Sequence, residues 1–153
     1  MIRILVDTNV ILDFMLKRND FDSARWLLIF SKMNDYELWV SSSQIADLHY
    51  ATSNRGNRRY AEQARAALLH LRKFVNVVSV GQREVDLALD SQWDDFEDSL
   101  VHQAAVSIGA NVLVTRNLAD FERSSIPAMT PEAFFTWMEE RHGVYYAEMI
   151  RAH

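Results

Sequence analysis

The sequence of 153 residues contains no cysteine, which excludes disulfides, thiolate nucleophiles and zinc sites built on sulfur. It has only two prolines and four glycines, a composition that favours helices over loop-rich structure. No apolar run approaches the roughly 20 residues that a membrane-spanning helix needs, and the first apolar run is too short for a signal peptide. We therefore expect a soluble, cytoplasmic protein without a membrane partner.

The composition is that of a globular protein. Apolar residues make up 49% of the chain and charged residues 24%. A chain of this length buries roughly 70% of the surface that its unfolded form exposes, which is enough for one hydrophobic core. We predict a single domain over residues 1–153.

Charge is unevenly distributed along the chain. The net charge is -5, but the segment 55–73 has six basic residues and one acidic residue, so it carries +5 and the remainder carries -10. An acidic chain is a poor non-specific binder of nucleic acid. The basic segment is either a solvated helix face or the place where an RNA backbone or an acidic partner segment binds. Its candidate RNA contacts are Arg55, Arg58, Arg59 and Arg65.

Short apolar runs rich in β-branched residues alternate with helical patterns. The runs at 2–6, 37–40, 75–80 and 111–115 predict four strands, and 126–129 predicts an edge strand. The clearest amphipathic helix is predicted at 58–74, with its basic residues facing outward. This alternation predicts right-handed crossovers and a parallel sheet covered by helices on both faces, an α/β fold.

Acidic residues occupy positions close to the predicted strand ends. Asp7 follows the first strand, and Asn9 is predicted to cap the helix after it. Serines 41–43 are expected to cap the helix after the second strand, with Asp47 in its first turns. Asp98 opens the helix before the fourth strand, and Asp120 lies in the loop after that strand. Since ligands of parallel sheets bind at the carboxyl ends of strands, we expect the four acids to converge.

Converging carboxylates repel one another, and their pKa values rise unless a cation compensates. Mg²⁺ or Mn²⁺ suits such a site, because these ions prefer oxygen ligands and take one or two carboxylates while keeping several waters. A bound divalent ion can lower the pKa of a water, shield a phosphate and steady a leaving oxygen. The acids therefore predict a divalent-metal site that acts on a phosphodiester.

Several motifs, in their order and spacing, resemble the PIN domain family over nearly the whole chain. They are Val6–Asp13, the serine-rich helix start with Asp47, Asp95–Asp98, Val114–Asn117 with Asp120 and Phe121, Ile126–Pro127, and Thr130–Glu132. The resemblance implies a three-layer α/β/α sandwich with a central parallel sheet of four to five strands. It also implies an Mg²⁺- or Mn²⁺-dependent endoribonuclease similar to the toxins of bacterial type II toxin-antitoxin pairs, with an antitoxin partner and a homodimeric state.

The resemblance also assigns roles to individual residues. Asp7, Asp47 and Asp98 match the three main acids, which would be both catalytic and metal-binding. Asp120 or Asn117 occupies the variable fourth position, and we take Asp120 as the fourth catalytic acid. The polar helpers are Thr8, Asn9, Thr115 and Asn117, and Arg116 joins the candidate RNA contacts.

One departure keeps an alternative function open. The second acid of the family is usually glutamate, and Asp47 is one methylene shorter. A degenerate PIN-like module that binds RNA or a protein partner without cutting is therefore the alternative, and DNA is an alternative substrate. A haloacid-dehalogenase-type phosphatase is excluded, because it needs a second aspartate two residues after the first, where this chain has Asn9.

Two further polar residues lie near these motifs. His102 is four residues after Asp98, on the same helical face. A hydrogen-bonded histidine beside the site is the favoured interpretation over a metal ligand. Asp13 is expected to face a neighbour within the fold rather than the metal.

Overall fold

The computed structural model describes residues 1–152. Its sheet contains five strands, all parallel to their neighbours. They are β1 (Ile2–Val6), β2 (Tyr36–Ser41), β3 (Val75–Val78), β4 (Val112–Val114) and β5 (Ala128–Met129). Their order in the sheet is β3-β2-β1-β4-β5.

α-Helices connect β1 to β2, β2 to β3 and β3 to β4, and two more follow β5. They are α1 (Thr8–Met15), α2 (Phe21–Phe30), α3 (Ser42–Thr52), α4 (Ala61–Leu71), α5 (Gln82–Leu89), α6 (Phe96–Ser107), α7 (Pro131–His142) and α8 (Ala147–Arg151). As far as residue 152, no helix is both long and apolar enough to cross a membrane.

The sheet lies between two helical layers because neighbouring residues of a strand face opposite sides. Ile4 and Val6 of β1 are buried in the larger core, which also contains residues of α1, α2, α3, α4 and α7. Leu5 faces the other side and packs in the smaller core with Ala104 and Ala105 of α6. The predicted three-layer α/β/α sandwich with a parallel sheet is confirmed.

Some predicted boundaries were wrong. The helix predicted at 58–74 begins as a 3-10 turn at Arg58–Tyr60, and the α-helix runs only over Ala61–Leu71. The third strand ends at Val78 instead of residue 80. The helix α8 was not predicted at all. Tyr146, just before it, is buried and stacks on Phe30 at 4.8 Å between ring centroids, so contacts with the core help to hold this segment.

The strand order reverses between β1 and β4. The chain passes from β1 to β2 and β3 on one side, and then returns to place β4 on the other side of β1. Val6 pairs with Val114 in register, and the Asp7 amide donates to the Val114 carbonyl at 2.8 Å. The two strands therefore end side by side, at the kind of position where open parallel sheets bind ligands.

Candidate active site

Asp7 caps the amino terminus of α1. Its Oδ1 accepts a hydrogen bond of 2.8 Å from the Thr8 amide, and its backbone is extended, as the residue before a helix should be. The prediction that Asn9 caps this helix was wrong, because the helix already begins at Thr8. Asn9 lies in the first turn, and its Oδ1 accepts from the Arg116 amide at 3.2 Å.

Thr115 supplies the second contact to Asp7. Its hydroxyl donates to Asp7 Oδ2 at 2.8 Å, and it also accepts from the Asn117 amide at 3.0 Å. Burial raises the pKa of Asp7, although the hydrogen bonds from Thr115 and Thr8 act in the opposite direction. Asp7 is only 7% exposed, so this carboxylate is oriented from both sides with little access to bulk water.

Asp98 lies in the first turn of α6. The turn is capped by Asp95, whose Oδ1 accepts from the Asp98 amide at 2.9 Å. Burial raises the pKa of Asp98 to about 7, and repulsion from carboxylates adds to this rise. These carboxylates belong to Asp95, Asp7, Asp120 and Glu97. The structure thus brings Asp7, Asp98 and Asp120 close enough to repel one another.

Asp47 is the most loosely connected of the four acids. It lies in the second turn of α3, so it is within the first turns of the helix as predicted but does not itself begin the helix. The helix starts earlier because Ser41 and Gln44 form a capping box. Asp47 is classed as exposed, but part of its carboxyl is shielded from water, and this partial burial raises its pKa. Among the residues that the structure describes, no neighbouring charge contributes to the rise.

Two clefts adjoin at Asp98. The first, which we call the acidic cleft, has a volume of about 330 Å³. Its polar lining residues are Asp7, Thr8, Ser43, Gln44, Asp47, Glu97 and Asp98. The second, of about 230 Å³, contains Asp98 and Asp120 together with Asp94 and Asp95. Asp7, Asp47 and Asp98 therefore share one cleft, while Asp120 lines the second one.

The donors of the acidic cleft are hard oxygen atoms. Among the described residues, the carboxylates of Asp47, Asp98 and Asp120 have no hydrogen-bond or ion-pair partner, so their oxygens are free to bind a ligand. Within residues 1–152, no three His, Asp or Glu side chains form a group that could hold a metal ion by themselves. The residues fit a cation such as Mg²⁺ or Mn²⁺, which uses one or two carboxylates and keeps several of its waters.

The sequence interpretation missed Gln44. This side chain is 1% exposed, and its Nε2 donates to the Val6 carbonyl at 2.8 Å and to Thr8 Oγ1 at 3.2 Å. Its Oε1 accepts from the Ser41 amide at 2.8 Å. Gln44 therefore ties the start of α3 to the end of β1. The spacing of Ser41 and Gln44 is the capping-box signal that could have pointed to it.

Asp13 and His102, the two polar residues near the motifs, have the surroundings that the sequence predicted. Asp13 is 1% exposed and faces Arg116 and Arg18 within the fold, at 3.0 and 3.5 Å. His102 Nε2 lies 3.2 Å from both the hydroxyl and the amide of Ser125, and its ring stacks on Trp93. Burial lowers the pKa of His102.

The basic candidates lie apart from the acids. Arg55, Arg58, Arg59 and Arg65 are exposed at the end of the α3–α4 connection and along α4. Arg65 borders an apolar groove of about 670 Å³, beside Leu68 and Leu69. These four arginines do not line the acidic cleft. Any contact that they make with RNA would therefore be at a distance from the acids.

Comparison with known families settles the classification. A sequence profile described as PIN domain matches residues 3–119, which is most of the chain and includes Asp7, Asp47 and Asp98. The chain belongs to the PIN domain family. The predicted family is therefore confirmed, whereas the prediction that one domain spans residues 1–153 stays a prediction. No curated protein matches the sequence.

Solved structures from bacteria share the PIN fold with this chain. A chain of the VapBC2 complex of Rickettsia felis, bound to a DNA fragment from its promoter, has a TM-score of 0.65 at 19% identity, covering 84% of this chain and 98% of that one. A chain of a toxin-antitoxin complex from Klebsiella pneumoniae has a TM-score of 0.60 at 21% identity, covering 83% and 96%. VapC20 of Mycobacterium tuberculosis, a toxin that cleaves the sarcin-ricin loop, has a TM-score of 0.53 at 17% identity, covering 72% and 86%.

Proposed function

We propose that this PIN domain protein is a divalent-metal-dependent endoribonuclease. The observation that carries the proposal is the acidic cleft, which is lined by Asp7, Asp47 and Asp98 and, within the described part of the chain, by no basic residue. Burial and the surrounding carboxylates raise the pKa of Asp98 there to about 7. A bound divalent cation would offset this repulsion and draw a phosphodiester to an otherwise repulsive cleft. Membership of the PIN domain family supports the same conclusion.

Asp7 and Asp98 would hold Mg²⁺ or Mn²⁺, with Asp47 and Asp120 as further carboxylates around it. The ion supplies activation of water and shielding of the phosphate charge. The hydrogen bonds from Thr115 and Thr8 hold the Asp7 carboxylate in one orientation and favour its charged form. Because Asp7 and Asp98 lie at the amino termini of α1 and α6, the partial positive charge of both helices also favours an anionic substrate.

RNA is the substrate that we propose, with cleavage leaving a 3'-hydroxyl and a 5'-phosphate. Support comes from the fold shared with VapC20, a toxin that cleaves the sarcin-ricin loop. The exposed arginines Arg55, Arg58, Arg59 and Arg65 would bind the RNA backbone outside the cleft. DNA remains the alternative substrate.

We further propose that the protein is the toxin of a toxin-antitoxin pair, acting as a homodimer in the cytoplasm. The support is the fold shared with a chain of the Klebsiella pneumoniae toxin-antitoxin complex. Expression of the chain alone should arrest growth, and co-expression of the small protein encoded next to it should restore growth. Unimpaired growth at confirmed expression of folded protein would contradict the toxin role.

A binding module that does not cut is the second candidate. The observation that favours it is the isolation of Asp47, whose pKa is not affected by the other acids. If Asp47 contributes nothing to metal binding, the site has one carboxylate fewer than the family usually offers. Such a protein would bind RNA or a partner protein through its basic surface with no turnover.

The decisive experiment compares labelled RNA and DNA of one sequence, with Mg²⁺, with Mn²⁺ and with EDTA. We expect metal-dependent cleavage of RNA by the wild type and at least a roughly 100-fold loss in the Asp7→Asn and Asp98→Asn variants. Asp86→Asn, an exposed acid on α5, is the matched control and should keep full activity. An unchanged rate in Asp7→Asn would exclude the proposed site, and binding without turnover in the wild type would favour the second candidate.

A further inference from the structure

Asp13 is a buried acid outside the acidic cleft. It lies on α1, six residues after Asp7, and is 1% exposed. Its Oδ2 accepts from Arg116 Nε at 3.0 Å. Its Oδ1 accepts from Asn19 Nδ2 at 3.2 Å and lies 3.5 Å from Arg18 Nε. Two arginines thus contact different oxygens of one buried carboxylate, although one ion pair would be enough to compensate its charge.

Arg116 is held at two points. Its backbone amide donates to Asn9 Oδ1, and its guanidinium is bound to Asp13 through Nε alone. Within the described chain, the two terminal nitrogens of this guanidinium have no hydrogen-bond partner. The side chain is 31% exposed, so these nitrogens remain accessible to a ligand.

Arg116 lies close to Asp7, so its two free terminal nitrogens are near the candidate active site. The residue follows Thr115, which is bonded to Asp7, and its positive charge lowers the pKa of Asp7. The carboxylate of Asp120 raises the pKa of Asp7, and Asp7 in turn raises the pKa of Asp98. Arg116 is thus the cation that acts on Asp7, whereas Arg123 lines the neighbouring cleft that contains Asp98 and Asp120.

We propose that Asp13 is a positioning residue, which orients Arg116 so that its two terminal nitrogens bind a phosphate of the RNA backbone next to Asp7. The inference rests on the proposed ribonuclease function and adds a phosphate contact to it. A guanidinium fixed through Nε presents its two terminal nitrogens as a fork, which matches two oxygens of a phosphate. The contact also offsets the repulsion between the incoming phosphate and the carboxylates.

Arg18 offers a matched control. It contacts the same carboxylate as Arg116 but is more exposed, at 44%, and precedes α2 instead of following β4. A role confined to compensating the buried charge of Asp13 predicts similar effects when either arginine is replaced. A role in phosphate binding predicts an effect for Arg116 only.

The first test measures binding of a single-stranded RNA oligonucleotide in EDTA at several salt concentrations. Loss of one phosphate contact should reduce the slope of log Kd against log salt by about 0.7 for Arg116→Gln. Arg18→Gln should leave the slope unchanged. Arg116→Lys should have the wild-type slope, because lysine keeps the positive charge. It lacks the two terminal guanidinium nitrogens, so it cannot bind two phosphate oxygens at once.

The second test measures RNA cleavage by the same variants with metal present. Arg116→Gln should lower kcat/KM by about 10- to 100-fold, and Arg116→Lys should recover KM more than kcat. As a single substitution, Asp13→Asn should lower kcat/KM. Added to Arg116→Gln, it should cause no further loss, since both changes affect the same phosphate contact of Arg116. If Asp13→Asn fails to fold, the comparison of Arg116→Lys, Arg116→Gln and Arg18→Gln still decides whether Arg116 contacts the phosphate.

The outcomes separate this inference from the function on which it rests. Equal slopes and equal kcat/KM for Arg116→Gln and Arg18→Gln, with RNA cleaved by the wild type, would overturn the inference and leave the ribonuclease intact. A further loss from Asp13→Asn in the Arg116→Gln background would overturn the positioning role of Asp13. A wild type that neither binds nor cleaves RNA would overturn both the function and the inference.

Discussion

The hydroxyl of Thr115 donates a 2.8 Å hydrogen bond to the carboxylate of Asp7, across 108 positions of the sequence. Both side chains are buried, and the bond joins the residue after β4 to the residue after β1. It is one of the forces that favour the charged form of Asp7 against the effect of burial. The bond therefore links the packing of the sheet to the chemistry of the candidate site.

Replacing Thr115 by valine should affect both stability and pH dependence. The variant loses a buried hydrogen bond, which should lower the free energy of unfolding by about 1–3 kcal/mol in urea titrations. Since the bond lowers the pKa of Asp7, its loss should move the acidic limb of the pH–rate profile to higher pH. Thr115→Ser keeps the hydroxyl and is the matched control. Identical pH profiles for the valine and serine variants would contradict this role.

Asp98 should make the metal-free protein less stable as pH rises. Its folded-state pKa is about 7, above the ordinary 3.8, so folding favours the protonated form. The stabilisation is complete below the unfolded pKa and is lost as pH rises through about 7. Asp98→Asn should therefore unfold at a higher urea concentration than wild type at pH 8 in EDTA, by about 1–2 kcal/mol after solvent screening.

At pH 5 the advantage of Asp98→Asn over the wild type should largely disappear, because Asp98 is then mostly protonated in the folded state. Asp86→Asn serves as the control for removal of a negative charge from an exposed helix position. Saturating Mg²⁺ or Mn²⁺ should remove the disadvantage of the wild type at pH 8. A difference between Asp98→Asn and wild type that does not change with pH would contradict the assignment.

Variants of Asp47 test whether its short side chain reaches a bound metal ion or the waters around it. If it orients water around the metal, Asp47→Asn should weaken Mn²⁺ binding by about 10- to 100-fold in calorimetric titrations. Asp47→Glu adds one methylene and keeps the charge, so it should bind Mn²⁺ at least as tightly as wild type. Equal affinities for wild type and Asp47→Asn would show that this carboxylate is not used, and would favour the non-cutting module.

Gln44 should be important for stability and for the shape of the cleft. Gln44→Ala removes the donor to the buried Val6 carbonyl and the acceptor for the Ser41 amide, which should cost about 2–3 kcal/mol in urea unfolding. Gln63→Ala, at an exposed position of α4, is the control and should change stability by less than about 0.5 kcal/mol. Equal unfolding midpoints for the two variants would show that the bonds of Gln44 are replaced by water.

Local patterns predicted most of the elements but not all of their ends. The run before Asp7 and the run at β4 were strands as predicted, because burial on both faces leaves a continuous apolar signature. The valine-rich run at β3 was also a strand, although it lies at the sheet edge and is only partly buried. The serine-rich start of α3 lies where it was predicted, with Ser41 as the cap, because capping hydroxyls leave a local signal in the sequence. The terminal helix α8 follows Tyr146, whose buried ring packs on a distant part of the core that no local pattern shows.

By itself, the sequence determined the α/β class, because periodicity is recorded in neighbouring residues. Its motifs indicated the family by resemblance and offered the four acids as candidates. Only the tertiary structure decided how these acids relate to one another. Sheet order placed Thr115 against Asp7 and Gln44 against Val6, and it placed Asp120 with Asp98 in a second cleft. Spacing along a chain does not specify which strands lie side by side or where a side chain points, and the charge that Asp98 experiences depends on both.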